Sequence, residues 1–267
     1  MSKFSDKILD DYVVVDLETT GLSPERDEII EIAAVRVRDN VPSEVFQTFV
    51  NPRRHISSAI TSLTGINDDM VIDAPLIGEA MPKFLEFAGD TPLLGHNLIR
   101  FDLCFLQMRG TVYNYCIDTL DIAHHIKTGT CGYSLSALCA RFGVINDNAH
   151  RALSDCIATH EVYQALKRLY NVRGAFFTMA ASCSKKEFQK NISERCRVGT
   201  MLTYSENEKG GITLFKDEYP VGTVCGGKLR ELEDNKELIK GIRISKITRG
   251  AQDKLLMGTE VELCPKK

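Results

Sequence analysis

The sequence has no long apolar run. Among its 267 residues, no stretch approaches the roughly 20 apolar residues that a membrane-spanning helix requires. The first six residues, Met-Ser-Lys-Phe-Ser-Asp, also lack the apolar core of a secretory signal peptide. With 43% hydrophobic and 26% charged residues, the composition is typical of a soluble globular protein. We therefore expect no membrane partner.

The cysteines lack any paired spacing. There are nine of them, an odd number, and no Cys-x-x-Cys pair occurs in the sequence. Both properties argue against a zinc site and against a disulfide framework. We expect the protein to work in a reducing compartment, the cytoplasm.

An overall excess of positive charge is also absent, since the net charge is −3. Residues 1–170 carry 15 Lys and Arg and 23 Asp and Glu, a balance of −8, whereas residues 171–267 carry 18 and 13, a balance of +5. An acidic half does not exclude a polyanionic substrate, because bound cations invert the local field. The basic half could attract a nucleic-acid backbone, although a lysine-rich solvated surface explains the same excess equally well.

Strand-like segments come first, and helical segments then alternate with a strand, which favours an α/β sheet covered by helices. Hydrophobic alternation and β-branched runs predict strands over residues 11–17, 28–38, 45–50 and 91–95. Apolar spacing and caps predict helices over residues 57–64, 75–88 (with Pro82 as a kink or a late start), 102–108, 117–126, 134–142 and 151–170.

The pattern changes after Tyr170. Residues 184–195 are polar and basic with helical spacing, and residues 199–264 contain short β-prone runs separated by glycine turns. We expect a first domain over residues 1–172, a basic helical linker over 173–198, and a small β-rich domain of unknown function, a barrel or a sandwich, over 199–267.

Two acidic residues follow the first buried strand. Asp16 and Glu18 are two positions apart after Val13-Val14-Val15, so both side chains leave the same face of the strand. Side-by-side carboxylates repel, and burying them unpaired costs several kcal/mol. A divalent cation is the usual partner of such a pair, so the sequence predicts a metal site here.

Further candidate ligands occur at Asp102 and Asp155, and His150 comes five residues before Asp155. Two Mg²⁺ or Mn²⁺ ions held by Asp16, Glu18, Asp102 and Asp155 would activate a water and stabilise a leaving oxygen, as phosphodiester hydrolysis requires. His150 is then the candidate general base. Taken singly, each of these residues is more often a cap or a solvated surface group.

The residues around these positions resemble the three motifs of the DEDDh-type, DnaQ-like 3′–5′ exonucleases, which include the epsilon proofreading subunit of bacterial DNA polymerase III. The matching segments cover roughly residues 10–170 in order, and the region beyond them carries no motif of the family. They are Val-Val-Asp-Leu-Glu-Thr-Thr-Gly-Leu at 14–22, Asp-Glu-Ile-Ile-Glu-Ile at 27–32, Leu-Thr-Gly-Ile at 63–66, His-Asn-x-x-x-Phe-Asp at 96–102 and His-Arg-Ala-Leu-x-Asp at 150–155.

The resemblance implies a ribonuclease-H-like fold, a mixed five-stranded sheet with helices on both sides, and metal-dependent release of nucleoside 5′-monophosphates from a 3′ end. It also implies substrate contacts. Thr19, Thr20 and Leu22 would hold the terminal nucleotide, with Leu22 wedged between the last two bases. His96, Asn97 and Phe101 would flank the substrate strand.

Three functional hypotheses remain open from the sequence. The leading one is an exonuclease acting on DNA, single-stranded or frayed, and the closest rival is a 3′–5′ exoribonuclease acting on RNA or short oligonucleotides. The third is a nucleic-acid-binding or recruitment module in which the catalytic fold is incidental. In that case residues 173–267 would grip a strand or dock on a polymerase or helicase.

Overall fold

The computed structural model describes residues 4–126, 128, 132–208, 210–224, 227–251 and 254–265. The chain divides into two compact units. The N-terminal unit comprises Leu9–His124 and Thr128–Arg168, and the C-terminal unit comprises Met1–Ile8, His125–Lys127 and Leu169–Lys267. Across the described residues, no helix is both long enough and apolar enough to cross a membrane.

A mixed five-stranded sheet forms the centre of the N-terminal unit, as the sequence predicted. Its strands lie in the order β3-β2-β1-β4-β5. The pairs β1–β2 and β2–β3 are antiparallel, whereas β1–β4 and β4–β5 are parallel. The strands are β1 (Tyr12–Thr19), β2 (Ile29–Arg38), β3 (Val41–Phe49), β4 (Leu93–Gly95) and β5 (Cys116–Asp118).

Seven helices among the described residues of this unit connect the strands or cover the sheet. They are α1 (Ser58–Thr64), α2 (Asp68–Val71), α3 (Ile77–Ala88), α4 (Asp102–Arg109), α5 (Thr119–Ile126), α6 (Leu135–Phe142) and α7 (Ala152–Arg173).

The strand β1 is covered on both faces, which explains its continuous apolar run. Val13 and Val15 belong to a core cluster with Phe84 of α3. On the other face, the ring of Tyr12 contacts Tyr163 of α7 edge-on, with the centroids 5.0 Å apart. Helices on both sides of a mixed sheet confirm the ribonuclease-H-like architecture.

Local capping signals set the predicted helix ends. Ser57 caps α1 by accepting a hydrogen bond from Ile60 N–H, and Gly65 ends it in the left-handed region with φ of 73°. Ser134 and Gly143 do the same for α6. The helix α3 starts at Ile77 and continues through Pro82.

The prediction of one helix over residues 117–126 is wrong at its start. Ile117 belongs to β5, where it pairs with Leu94 of β4, and α5 begins only at Thr119. A three-residue buried strand is too short to show alternation, and its pairing partner lies more than 20 positions earlier in the chain. The turn-long helix α2 was also not anticipated.

The C-terminal unit contains an antiparallel six-stranded sheet in the order β6-β11-β10-β7-β8-β9. An isolated antiparallel bridge joins Ser182, directly after β6, to Thr223 of β9, so the two ends of the sheet meet and it closes as a barrel. The elements are β6 (Ala175–Ala181), α8 (Lys186–Arg195), β7 (Met201–Glu206), β8 (Ile212–Lys216), β9 (Tyr219–Val224), α9 (Gly227–Asp234), β10 (Ile239–Arg249) and β11 (Leu255–Leu263).

The segment 173–198 is not the helical linker that we expected. Residues Ala175–Ala181 form β6, which pairs with β11 along its whole length, so this segment is part of the barrel. Its buried residues are Ala175, Phe177, Met179 and Ala181, but its pairing partner lies far later in the chain, at Leu255–Leu263, where a local pattern does not reveal it. The barrel is tightly packed there, because a Cβ on Gly222 would lie 3.0 Å from Ala181 Cβ.

Candidate active site

The carboxylates of Asp16 and Glu18 lie at the end of β1 that leads into the site. The register of β1 against β2 changes directly after Glu18, between Glu18 and Thr19, and the chain then leaves the sheet. Glu18 is buried and Asp16 half-buried. The alternation of the strand therefore directs both side chains to the same face, as the sequence predicted.

Two helix starts bring further carboxylates to this point. Asp102 is the first residue of α4, and its Oδ1 accepts a hydrogen bond from Leu17 N–H at 3.1 Å. Asp155 lies in the first turn of α7. Carboxylate oxygens of Asp16, Glu18 and Asp155 all lie within 4.8 Å of one another. Acids from three remote parts of the chain thus converge.

A single cleft of about 450 Å³ contains all four acids and His150. Four of the six predicted substrate-contact residues also line it, namely Thr19, Leu22, His96 and Phe101. The remaining lining comes from Leu17 and Gly21 and from one wall that the sequence analysis did not anticipate, formed by Ala59, Ile60, Leu63 and Thr64 of α1.

The other two predicted contacts, Thr20 and Asn97, shape loops beside the cleft rather than its wall. The Thr20 hydroxyl donates to Asp27 at 3.3 Å and accepts from Glu28 N–H at 3.0 Å. Asn97 is left-handed, with φ of 61°, and its N–H donates to the buried Asp118 at 2.9 Å. Asp118, which the sequence analysis missed, fixes the turn after His96.

The loop after β1 requires glycine at position 21. A Cβ there would lie 2.5 Å from Asp27 Oδ2, and the same oxygen accepts a hydrogen bond from Ser23 N–H at 2.9 Å. This tight turn leaves the next side chain, Leu22, 84% exposed on the cleft lining. An apolar side chain held out in this way is available to contact a base.

Burial and mutual repulsion set the electrostatics of the acids. Burial, together with the charges of Asp102 and Asp155, raises the pKa of Asp16 well above its usual value. Burial and the charge of Asp155 raise the pKa of Glu18 to about 8, and burial raises that of Asp102 to about 7. Negative charge on these groups is therefore poorly compensated by the protein itself.

A divalent cation fits this arrangement. Among the described residues, none donates a hydrogen bond or forms an ion pair with the side chain of Asp16 or Glu18, although both lie in the cleft. Hard cations such as Mg²⁺ and Mn²⁺ prefer carboxylate oxygens as ligands. The donor set is thus of the kind that such ions require.

His150 lies on the loop that enters α7, with its side chain exposed on the cleft lining. Its backbone is left-handed, with φ of 64°, and its N–H donates to Asp155 Oδ2 at 3.1 Å. Asn146 completes this loop, since its amide donates to Asp155 Oδ1 at 2.6 Å and its oxygen accepts from Ser154 at 2.7 Å. The sequence analysis missed Asn146, because an isolated asparagine in a loop carries no signal of its own.

A buried ion pair fixes the start of α7. Glu31 of β2 is fully buried and accepts two hydrogen bonds from the Arg151 guanidinium, at 3.0 and 3.2 Å, and one from Ala152 N–H at 3.2 Å. This contact positions the first turn of α7, and with it Asp155. An acid inside an apolar strand requires such a partner, and this signal could have identified Glu31.

The side chains of His96 and Phe101 form part of the cleft wall. Burial lowers the pKa of His96 to about 4, so its imidazole is neutral near pH 7, and its Nδ1 lies 2.9 Å from Thr119 Oγ1. The ring of Phe101 packs on Phe105 with the centroids 5.2 Å apart. Phe101 therefore contributes to the core as well as to the cleft.

The family model described as Exonuclease (RNase_T) matches residues 13–163, more than half of the chain. The chain therefore belongs to the exonuclease family, which confirms the DnaQ-like resemblance. Enzymes of this family depend on metal ions, in agreement with the acidic cluster.

Among curated proteins, the chain is 44% identical over 168 residues to the PolC-type DNA polymerase III of Caldanaerobacter subterraneus subsp. tengcongensis. It is 34% identical over 222 residues to that of Staphylococcus aureus. These alignments cover 61% and 80% of this chain but only 12% and 15% of the polymerases. The chain thus spans a small part of the length of these relatives.

Solved structures share the fold. Exonuclease X in complex with 5′ overhanging duplex DNA is 28% identical, with a TM-score of 0.51 over 61% of this chain and 93% of that one. Exonuclease I of E. coli in complex with a dT13 oligonucleotide is 18% identical, with a TM-score of 0.53 over 61% of this chain and 42% of that one. These similarities confirm the ribonuclease-H-like fold.

We expect a divalent cation to stabilise the protein more at pH 8 than at pH 6. The raised pKa values of Glu18 and Asp102 mean that folding retains protons, so stability without metal falls as the pH rises through about 7 to 8. A bound cation displaces those protons and therefore binds more strongly at the higher pH. At a hundredfold excess over Kd, binding adds about 2.7 kcal/mol to the free energy of unfolding.

Thermal melts in EDTA and in Mn²⁺ at the two pH values measure this effect. Asp16→Ala serves as the control, since it removes a ligand and should abolish the metal-dependent rise in Tm. An equal rise at both pH values would contradict the assigned electrostatics.

Proposed function

We propose that this protein removes nucleotides one at a time from the 3′ end of DNA, single-stranded or frayed, and releases nucleoside 5′-monophosphates. The observation that carries the proposal is the convergence of four acids and a histidine in one cleft. The exonuclease family assignment supports the 3′–5′ direction.

Two Mg²⁺ or Mn²⁺ ions are the proposed cofactors. Asp16, Glu18 and Asp155 would hold one ion, and Asp16 with Asp102 would hold the other. When bound, such a pair acidifies water and neutralises charge on the phosphoryl group. The hydrogen bonds to Asp102 and Asp155 leave their carboxylates in fixed orientations for this role.

His150 is the proposed general base. Its imidazole is exposed on the cleft lining, where it can take a proton from an attacking water. Its backbone contact with Asp155 couples the position of the base to that of a metal ligand. The hydrogen bond from the Asn146 amide to Asp155 also holds the loop that carries His150.

The cleft walls provide the proposed nucleotide contacts. Leu22 would wedge between the last two bases, and Ile60 and Leu63 of α1 offer an apolar surface. Thr19 and Phe101 would contact the terminal nucleotide and the strand, while His96 offers a neutral hydrogen-bonding group. Thr20 and Asn97 would act by holding the two loops in shape.

DNA is the favoured substrate. Exonuclease X, the structural neighbour above with 28% identity, is seen with duplex DNA, and the curated relatives are DNA polymerases.

On matched 3′ ends we expect mononucleotide release from DNA to exceed that from RNA. End-labelled DNA and RNA oligomers of one sequence, with and without Mg²⁺ or Mn²⁺, measure this on a gel. Asp16→Ala should abolish the ladder, and faster degradation of RNA would replace our proposal with the exoribonuclease alternative.

Replacing the proposed base should slow turnover without preventing metal binding. We expect His150→Ala to lower kcat by about 10²–10⁴-fold, the range typical of a lost acid–base group, with a small change in KM. His55→Ala removes an exposed histidine that does not line the cleft and pairs instead with Asp68, so it is the matched control. Equal kcat values for the two variants would refute the assignment of His150.

The region after residue 172 is proposed to form a separate module that recruits the exonuclease to a polymerase or helicase, or holds a nucleic acid. Its helix α8 exposes Lys186 and Lys190 while burying Phe188 against the barrel.

We expect Lys185→Glu, Lys186→Glu and Lys190→Glu together to weaken binding to a bacterial replicative polymerase or helicase by at least about tenfold. Surface plasmon resonance with the purified full chain tests this, and unchanged binding would remove the helix from the interface.

A further inference from the structure

The N-terminal unit is strongly acidic for a protein that handles a polyanion. Within Leu9–His124 and Thr128–Arg168 there are 12 Lys and Arg and 22 Asp and Glu, a balance of −10. A nucleic-acid strand leaving the cleft therefore needs local positive charge to hold its phosphates.

Half of these cations are already neutralised by carboxylates. Each of the following pairs joins a basic side chain to an acidic one within 4.0 Å: Arg36 and Arg38 with Glu44, Arg100 with Asp121, Arg109 with Glu28, Arg151 with Glu31 and Lys167 with Asp10. Such paired side chains are poor candidates for phosphate contacts.

Three arginines on two adjacent loops are not paired with a carboxylate in this way. Arg26, Arg53 and Arg54, here called the arginine triad, are all exposed, and none forms a salt bridge with any carboxylate in the described ranges. The Arg54 guanidinium donates to the backbone oxygen of Arg26 at 2.5 Å, which ties the two loops together. Arg26 adds one long hydrogen bond, to Ser23 Oγ at 3.4 Å.

The two loops that carry the triad lead into two walls of the cleft. Arg26 lies four residues after Leu22, with its N–H donating to Ser23 O at 3.0 Å, and Leu22 lines one side of the cleft. Arg53 and Arg54 lie five and four residues before Ser58, the first residue of α1, and α1 forms another wall through Ile60 and Leu63. The contact between Arg54 and Arg26 therefore joins the loops that lead into these two walls.

The acids nearest in sequence are engaged elsewhere. Glu25 accepts a hydrogen bond from Ser23 Oγ at 2.9 Å. Asp68 accepts from Ile56 N–H at 2.8 Å and pairs with His55, and Asp27 accepts from Ser23 N–H at 2.9 Å within its loop. The guanidinium groups of the triad are thus left available to an external anion.

We propose that the arginine triad binds backbone phosphates of the substrate strand on the 5′ side of the nucleotide in the cleft. The inference rests on the proposed function, because a 3′ end seated at the acids leaves the rest of the strand outside the cleft. Guanidinium forks match phosphate oxygens in geometry and charge. The triad then supplies sequence-independent affinity that grows with strand length.

The test compares a long substrate with one too short to reach the triad. The variant is Arg26→Gln, Arg53→Gln and Arg54→Gln together in the full chain. The short substrate is the p-nitrophenyl ester of thymidine 5′-monophosphate, and the long one is a 20-nucleotide single-stranded DNA. We expect kcat/KM for the ester to stay within about twofold, while KM for the DNA rises about tenfold or more at low salt.

Salt dependence gives an independent readout. A 20-nucleotide strand with a cleavage-resistant phosphorothioate 3′ end is titrated by fluorescence anisotropy. Losing three phosphate contacts should reduce the slope of log K against log salt by about 2, since each contact to a single strand contributes about 0.7. The same three positions changed to Lys keep the charge and should restore most of the slope.

A charge-matched control is available in the same unit. Arg38→Gln, Lys83→Gln and Arg168→Gln together remove the same charge from exposed positions that do not line the cleft. Arg38 ends β2 next to Val41, at the opposite end of the sheet from Glu18. We expect this control to retain the salt slope of the unmodified protein.

Each outcome decides between alternatives. Equal salt slopes in the triad variant and the control variant would overturn the proposal. A triad variant that loses ester hydrolysis as well as DNA affinity would also overturn it, because the arginines would then support the cleft itself. The unmodified protein could also bind the strand through the triad and cleave neither substrate. That result would support phosphate binding by the triad and would refute the proposed exonuclease function.

Discussion

The repulsion between carboxylates crowded at the end of one strand is the constraint on which the rest of the site depends. Carboxylate oxygens of Asp16, Glu18 and Asp155 lie within 4.8 Å of one another, and burial together with this crowding raises the free energy of the charged forms of Asp16 and Glu18. Asp102 and Asp155 accept fixed hydrogen bonds, whereas Asp16 and Glu18 accept none from the described residues and are proposed to hold a cation. Strain from placing His150 in a left-handed conformation is kept in the same small region.

The remainder of the N-terminal unit supports that arrangement. The ion pair between buried Glu31 and Arg151 holds the start of α7 against β2, so it positions Asp155, a proposed metal ligand in the first turn of that helix. The cleft has an apolar wall on α1 and a neutral imidazole at His96, which suit a base and a sugar. The arginines that we propose as phosphate contacts lie on loops that lead into its walls.

The barrel of the C-terminal unit has its own core and its own closure. Its strands bury Val221, Val261 and Leu263, and the bridge between Ser182 and Thr223 removes the open edges. The alignment with the Staphylococcus aureus polymerase covers 80% of this chain. The Exonuclease family match, by contrast, ends at residue 163. The family assignment therefore concerns the N-terminal unit, and the proposed recruitment role concerns the C-terminal unit.

The sequence by itself predicted the acids and the histidine that line one cleft, the central strands and the capped helices, because these signals are local or follow a family pattern. Only the tertiary structure decided the strands β5 and β6, the cleft wall on α1, and the roles of Asn146 and Glu31. Three of these depend on a partner far away in the chain: Leu94 for Ile117, β11 for β6 and Arg151 for Glu31. Asn146 depends instead on the shape of its loop, which brings its amide to Asp155, nine positions later. Hydrophobic period and capping are properties of neighbouring residues, whereas strand pairing and buried hydrogen bonds exist only after the chain has folded back on itself.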